Sequence, residues 1–345
     1  MTGTLLRKTR MVTGAFTTRV ANMTISGSIE LTCLYDLTPP ALKDDNHHFH
    51  VFSGVASAAG FRWAYGSNVL LLSRDGTHWQ DLGGKLNLSG AFAVSAVVDG
   101  EDGAFVLARS KDGLHCFHFL AGTWECTELP SLPTSSAGAL VVKTTDALLA
   151  CIHERETTDF LRFRDSQRIW ERLPAALPGV PIHLELSESG TGICALWGIL
   201  REDGVALPAP SAVYQTRDFG VSWSLIQELD TMLLAGACAP GRLSLLGGSD
   251  GCLAEGTVAG FTRCYQGSVD DVVAVSSERS QQAVILESFD EPSRQTLLWR
   301  STSPEWELFE VGLTERVQGV HFIGFGVILL CTQHLLFAAR IQIVQ

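Results

Sequence analysis

The sequence predicts an all-β protein: a seven-bladed β-propeller of four-stranded antiparallel blades, closed by its N-terminal strand. Three observations predict it. An aromatic residue recurs about every 45 residues, four apolar runs accompany each recurrence, and one orphan strand at the start matches three strands at the end.

The recurrence comes first. Tryptophan stands at Trp79, Trp124, Trp170, Trp223 and Trp306, at intervals of 45, 46, 53 and 83 residues. The last interval is close to two periods, so an aromatic substitute is expected inside it, and Phe261 stands there. Each aromatic follows a turn and opens a short segment: WQDL, WECTEL, WERL, WSLIQEL, FTRCYQ and WELFEV. A period of this length marks repeated supersecondary units that bury a core only by stacking on one another.

Upstream of each aromatic the pattern is shared. FVLARS is followed by the turn KDG, then LHCFHFL, then AGT, then WECTEL. Alternating or apolar runs bounded by Gly, Asp and Asn read as hairpins. A further apolar run precedes each set, as in TMLLAGACA (231–239) and DVVAVSS (271–277), which makes four strands per unit. Few windows place apolar residues at helical spacing without a Gly or Pro among them, so no helix longer than about two turns is expected.

The ends supply the closure. After the Trp306 unit the chain offers VHFIGF, GVILLC and LLFAARIQIV, and then ends, one strand short of a unit. Before the first complete unit lies one orphan strand, ISGSIELTCL (25–34). Joined, they complete a seventh blade and remove the open edges that a ring cannot tolerate. The organisation expected is a basic extension over 1–21 and a single propeller domain over 22–345.

Composition is consistent with one folded unit. Hydrophobic residues make up 46% and charged residues 18%, enough apolar surface for a core. The net charge of −12 argues against general nucleic-acid binding, because a negative field repels phosphate. Arg162, Arg164, Arg168 and Arg172 form a local basic group that reads as the solvent side of a hairpin. The nine cysteines are odd in number, lack any C-x-x-C pair, and lie mostly in apolar runs such as ALLACI and VILLCT. They read as reduced core residues of an intracellular protein, cytoplasmic or, as the alternative, mitochondrial. The mitochondrial alternative rests on the first 29 residues, which hold Arg7, Lys8, Arg10 and Arg19 and no acid. The glycosylation triplets at Asn22 and Asn87 read as chance matches. No apolar run reaches the roughly 20 residues of a membrane span; the candidate at 322–331 reads as a buried strand.

Two turns carry a known motif. Thr216-Arg217-Asp218-Phe219-Gly220-Val221-Ser222-Trp223 matches S/T-x-D-x-G-x-S/T-W, and Ser73-Arg74-Asp75-Gly76-Thr77-His78-Trp79 is one residue shorter. On these residues the chain resembles the Asp-box (BNR) propellers, which include sialidases, sortilin-type receptors and photosystem assembly factors. The resemblance implies that Asp75, Asp218, Trp79 and Trp223 build hairpins and do no chemistry. WECTELPSLP and WERLPAALPGVP are similar to kelch blade endings, with a kelch-like diglycine only at Gly247-Gly248.

The search for chemistry ends without a constellation. Sialidase resemblance would imply an Arg-Ile-Pro segment, three carboxylate-binding arginines and a Tyr–Glu pair. Phe61-Arg62-Trp63 departs from the first, and of four tyrosines, Tyr35, Tyr65, Tyr214 and Tyr265, Tyr214 suits packing inside a strand. A carboxylate pair for glycoside hydrolysis cannot be picked by sequence; Glu185 and Glu188 read equally as solvated. His48 and His50 could share a metal across one strand face, but a polar insertion accounts for them, and His115 and His118 fall on opposite faces. No phosphate-binding, dinucleotide-binding, serine-hydrolase or zincin motif occurs. No catalytic, cofactor-binding or metal-ligating residue is therefore assigned, and no cofactor. The expected function is a non-enzymatic protein-interaction scaffold or assembly subunit, with a diverged carbohydrate-active hydrolase or a ligand-binding receptor domain as the alternative. Its partners are expected to be proteins, met by the segments 36–50, 201–211 and 288–295, the middle one a semi-rigid arm held by its prolines.

Overall fold

The computed structural model describes residues 9–10, 27–37, 50–88, 90–99, 103–120, 122–128, 139–144, 148–154, 156–164, 169–202, 205–239, 243–265, 268–278, 280–288, 290–291, 294–301 and 303–343. The structure of these residues is all-β and antiparallel, and their one helical element is the 3-10 turn Gly83–Lys85.

Four strands per repeat is what the sequence patterning dictates, and four are found. The sequence from residue 139 to 178 forms a sheet of Ala139–Lys143, Leu148–Glu154, Thr157–Arg164 and Ile169–Pro178. Equivalent four-stranded sheets follow over 180–229, 233–265 and 271–310. The two preceding units, 51–81 and 92–128, are joined into one eight-stranded sheet by a single rung, Ser67↔Ala93. Asn68 causes the join: it sits at φ +53°, accepts from Phe92 N through Oδ1 at 2.9 Å, and donates its own N–H to Phe92 O at 2.8 Å.

The recurring aromatic falls where the fourth strand of each unit begins. Trp79, Trp223 and Trp306 immediately precede Gln80–Asp81, Ser224–Leu229 and Glu307–Glu310. Trp124, Trp170 and Phe261 are the second residues of Thr123–Glu128, Ile169–Pro178 and Gly260–Tyr265. The orphan strand is Gly27–Asp36, paired antiparallel to Leu335–Ile343 from Gly27↔Ile343 to Asp36↔Leu335 with one bulge. Three C-terminal strands and this N-terminal one share a sheet, with the short Thr9–Arg10 at its edge. Apart from Thr9 and Arg10, the basic extension over 1–21 lies outside the described residues.

Apolar residues are buried between sheets, not within one central mass. Ala150, Ile152 and Leu161 pack with Leu107 and Cys116 of the preceding unit, while Leu149, Cys151 and Phe160 on the other face pack with Cys194 and Leu196 of the next. A strand buried on both faces reads as a continuous apolar run, which is why ALLACI and VILLCT lack alternation. The same arrangement runs through the units in order. It ends where Phe52, Ala64 and Leu71 of the first unit pack with Leu329, Cys331 and Leu336 of the terminal sheet. The first strands of successive units also touch in order, and Val51–Ala58 touches Val317–Gly324.

All nine cysteines are free thiols. Four are buried, Cys116, Cys151, Cys194 and Cys331, but Cys126 and Cys238 are exposed. Reading them together as core residues therefore fails for those two: Cys126 lies on an outermost strand and Cys238 in the link after Leu233–Ala237.

The segment 201–211 is also not a proline-stiffened arm. It continues a hairpin, Gly192–Glu202 against Val205–Thr216, in which Glu202 pairs with Val205. The prolines fit because an outer edge strand can spare their missing N–H.

Candidate interaction face

Antiparallel alternation sorts the connections into two ends. Links between first and second strands, and between third and fourth, emerge at one end of every unit. Links between second and third strands, and from unit to unit, emerge at the other. Segments 36–50, 201–211 and 288–295 all belong to the second end, the first as a unit-to-unit link and the others as second-to-third links. Residues 38–49, with His47 and His48, lie outside the described residues. His50 Nδ1 lies 3.0 Å from Asn68 O.

The two Asp turns lie at the opposite end, each between third and fourth strands. Asp218 Oδ1 accepts from Ser222 N at 2.9 Å and from Thr216 Oγ1 at 2.8 Å, and its Oδ2 accepts from Ser222 Oγ at 2.5 Å. Burial works against ionisation of this carboxyl, but these bonds outweigh it and hold it below the ordinary range. Gly220 takes φ +82°, and a Cβ there would meet Leu149 Cδ2 at 2.9 Å. Trp223 donates to Gly220 O at 3.1 Å and stacks on Phe160 at 4.8 Å. Asp75 repeats the design: Oδ1 accepts from Thr77 N and His78 N at 2.8 and 2.9 Å, and Oδ2 lies 2.7 Å from His78 Nδ1. The His78 bonds are the main reason its carboxyl lies far below the usual range. Every polar atom named is used inside its own turn.

The candidates for chemistry are dispersed. Trp63 is fully buried and donates to Ala58 O, and Arg62 lies against the Asp75 turn. Tyr214 packs beside Leu149, Phe160 and Cys194. Burial is the first reason its phenol titrates above the ordinary value. His115 Nε2 lies 3.3 Å from Ser110 Oγ, whereas His118 stacks on Phe105 at 4.4 Å. Arg162 pairs with Glu171 at 3.3 Å and Arg172 with Asp159 at 2.5 Å, so these two of the local basic group are neutralised across their own hairpin; Arg168 lies outside the described residues. Among the described residues, no group of three His, Cys, Asp or Glu side chains is placed to hold a metal ion.

Glu185 and Glu188 do not act as a pair. Glu188 is in an exposed turn. Glu185 Oε2 accepts from Ser244 Oγ at 2.7 Å and lies 3.1 Å from His183 Nε2, with the Cys238 thiol also bonding the carboxylate. Burial tends to raise this acid, but its three partners bring it below the ordinary value. Burial and the Glu185 charge push the Cys238 thiol up to about 12, which makes it a donor and not a nucleophile. This cluster ties the 180–229 unit to the 233–265 unit. Sequence reasoning missed it because its members lie 59 residues apart.

One cleft of about 260 Å³ opens between the same two units, at the end that carries the long segments. Asp230, Thr231, Ser249, Asp250, Cys252 and Arg263 line it. Arg263 is committed to the turn, with Nη2 donating to Asp250 O at 3.0 Å and Gly251 O at 3.2 Å.

No family model matches the chain, and no curated protein matches it. Solved structures do. The chain is similar to YCF48 bound to D1 peptide, with a TM-score of 0.60, 15% identity, and coverage of 89% of this chain and 98% of that one. It is similar to U3-55K, with a TM-score of 0.57, 11% identity, and coverage of 91% and 98%. It is also similar to the GH74 xyloglucanase from Xanthomonas campestris, with a TM-score of 0.62, 13% identity, and coverage of 90% and 53%. At these identities the likeness shows the fold, and the fold is that of a β-propeller.

Proposed function

We propose that this protein is a non-enzymatic interaction scaffold or assembly subunit, a seven-bladed propeller closed by Gly27–Asp36, that meets its protein partners through the end opposite the Asp turns. The observation that carries the reading is the segregation of connections. All three long segments leave one end, while the two Asp-box-like turns, with their Asp carboxylates bonded inside the turn, occupy the other. Variable connections on a rigid frame are where binding resides. Ring closure is supported by the pairing of Gly27–Asp36 with Leu335–Ile343 and by the packing of the first unit on the terminal sheet. The likenesses to a peptide-bound YCF48 and to U3-55K are compatible with a protein partner. The free thiols fit an intracellular setting.

Cross-linking mass spectrometry on the protein purified from its native cells tests this. Cross-links to a stoichiometric partner are expected at 36–50, 201–211 and 288–295. A protein that purifies without a partner, or cross-links concentrated on the Asp turns, would sink the reading. The rival, a diverged carbohydrate-active hydrolase, gains support only if purified protein cleaves xyloglucan or a sialoside.

A further inference from the structure

Resting on the scaffold reading, we infer that Glu315 is a positioning residue for partner binding, holding segments 36–50 and 288–295 in one arrangement. The first of these segments stands at both ends on one turn, Gln333-His334, which joins Val327–Thr332 to Leu335–Ile343 in the terminal sheet. His334 O accepts from Leu37 N at 2.8 Å, just past the strand Gly27–Asp36. Gln333 O accepts from Phe52 N at 2.9 Å, in the first strand of the first unit. The two flanks of the segment therefore rest on adjacent residues of another element. A two-residue hairpin link matches the twist of its strands when its residues take positive φ, the conformation that Gly and Asn favour. Gln333 and His334 are neither, and neither takes positive φ. Their conformation is set from outside.

Glu315, in the link that enters the terminal sheet, sets it. Its Oε2 accepts from Thr332 Oγ1 at 2.6 Å and from His334 N at 3.1 Å, and its Oε1 lies 3.2 Å from His334 Nδ1. Thr332 Oγ1 in turn accepts from Leu335 N at 3.0 Å, so one carboxylate secures both sides of the turn. Burial tends to keep this acid neutral, but the same bonds hold it below the ordinary range, so it serves as a charged acceptor. Without it His334 N loses its acceptor, and leaving such a bond unmade costs more than the bond contributes. Glu315 is itself held by the neighbouring unit. Gln295, the last residue of segment 288–295, is 1% exposed. Its Nε2 donates to Glu315 O at 2.9 Å and its Oε1 accepts from Val317 N at 2.7 Å. That segment also closes on itself, with Ser288 N donating to Arg294 O and Arg294 N to Glu291 O. A continuous chain of bonds thus runs from Gln295 through Glu315 and Gln333-His334 to Leu37 and Phe52, joining two of the three partner-facing segments.

The test uses the full-length protein. In Glu315→Ala, amide exchange at Leu37 and Phe52 is expected to accelerate at least about tenfold through local opening. Exchange at Phe92 and Phe261, whose N–H groups are bonded to Asn68 and Gln227 between other units, should not change. Gln295→Met leaves the carboxylate in place and should still accelerate Leu37 and Phe52. Glu315→Gln keeps a carbonyl oxygen for Thr332 and His334 and should restore most of the protection. Purified from the native cells, Glu315→Ala should carry at least about fivefold less partner than the parent, with cross-links lost first at 36–50, and Glu315→Gln should recover it. Unchanged exchange at Leu37 and Phe52 in Glu315→Ala overturns the inference. So does acceleration that extends equally to Phe92 and Phe261, which marks general loosening. Full partner recovery by Glu315→Ala despite the faster exchange removes the positioning role and leaves the scaffold reading standing. Absence of any partner from the unmodified protein removes the scaffold reading itself, and the positioning role with it, whatever the exchange shows.

Discussion

Asp218 and Cys238 show how neighbours set the behaviour of single side chains in this molecule. Asp218 accepts three hydrogen bonds inside its turn, from Ser222 N, Ser222 Oγ and Thr216 Oγ1. Asp218→Ala should cost about 3 kcal/mol, since each of the three net bonds contributes about 1 kcal/mol. Urea denaturation would read this as a lower midpoint at unchanged slope. Because the folded state holds the Asp218 carboxyl below its unfolded value, it binds fewer protons than the unfolded chain at acid pH. The contribution is therefore full above the unfolded carboxylate range and is lost as pH falls through the folded pKa. In Asp218→Asn the acid limb of the stability curve should be correspondingly flatter. Cys238 is exposed, yet its thiol is raised to about 12 by burial of the sulfur and by Glu185. At pH 8, iodoacetamide should modify Cys126 ahead of Cys238, and Glu185→Gln should accelerate Cys238. Equal rates in the variant and the parent would show that the Glu185 charge does not control this thiol.

Individual strands add effects that no residue has alone. Val317–Gly324 lies against Asp271–Glu278 of the preceding unit. Burial there lowers His321 to about 4, although the Glu278 charge pulls it upward. The unfolded imidazole titrates near 6.5, so between about 6.5 and 4 the unfolded chain holds more protons. Stability is full above that window and falls through it on acidification. His321→Gln should remove this loss, and thermal melts at pH 7 and pH 5 should then differ less than in the parent. A difference as large as the parent's would assign the acid sensitivity to another group. The hairpin from 192 to 216 belongs to this scale too. In the sequence its two prolines suggested a semi-rigid arm. The register resolves the conflict, because the outer strand has no fourth-strand neighbour at that height to miss their donors.

For the molecule as a whole, the chain termini carry the proposed closure. Gly27–Asp36 covers Leu335–Ile343, and Ile29 and Leu31 are buried with Phe309, Val311 and Phe337. Deleting residues 1–35 removes both apolar side chains and exposes their neighbours. Each large side chain uncovered costs on the order of 1.5–3 kcal/mol, against a total stability of about 5–15 kcal/mol. The truncated protein should be aggregated or unfolded by circular dichroism and size-exclusion chromatography. Among the described residues, deleting residues 1–20 removes the two rungs of Thr9–Arg10, and the melting temperature should change little. A 1–35 truncation that melts with the parent would mean that the N-terminal strand does not hold the fold.

The sequence alone determined what repeats: the period, the four-strand unit, the aromatic at the start of each fourth strand with Phe261 in the gap, and the orphan strand. These are local or periodic properties, written into every unit by the need of each sheet to bury both faces. It also indicated the structural role of the Asp turns, whose donors and acceptors lie within seven residues of one another. Only the tertiary structure decided which distant residues meet. It brought Ser244 to Glu185 and Arg300 to Glu255, exposed Cys126 and Cys238, and joined the first two units through Asn68. It also sorted the three long segments to one end of the molecule. Those outcomes depend on which particular side chains meet between one sheet and the next, and these pairings differ from unit to unit, so they leave no periodic trace in the chain.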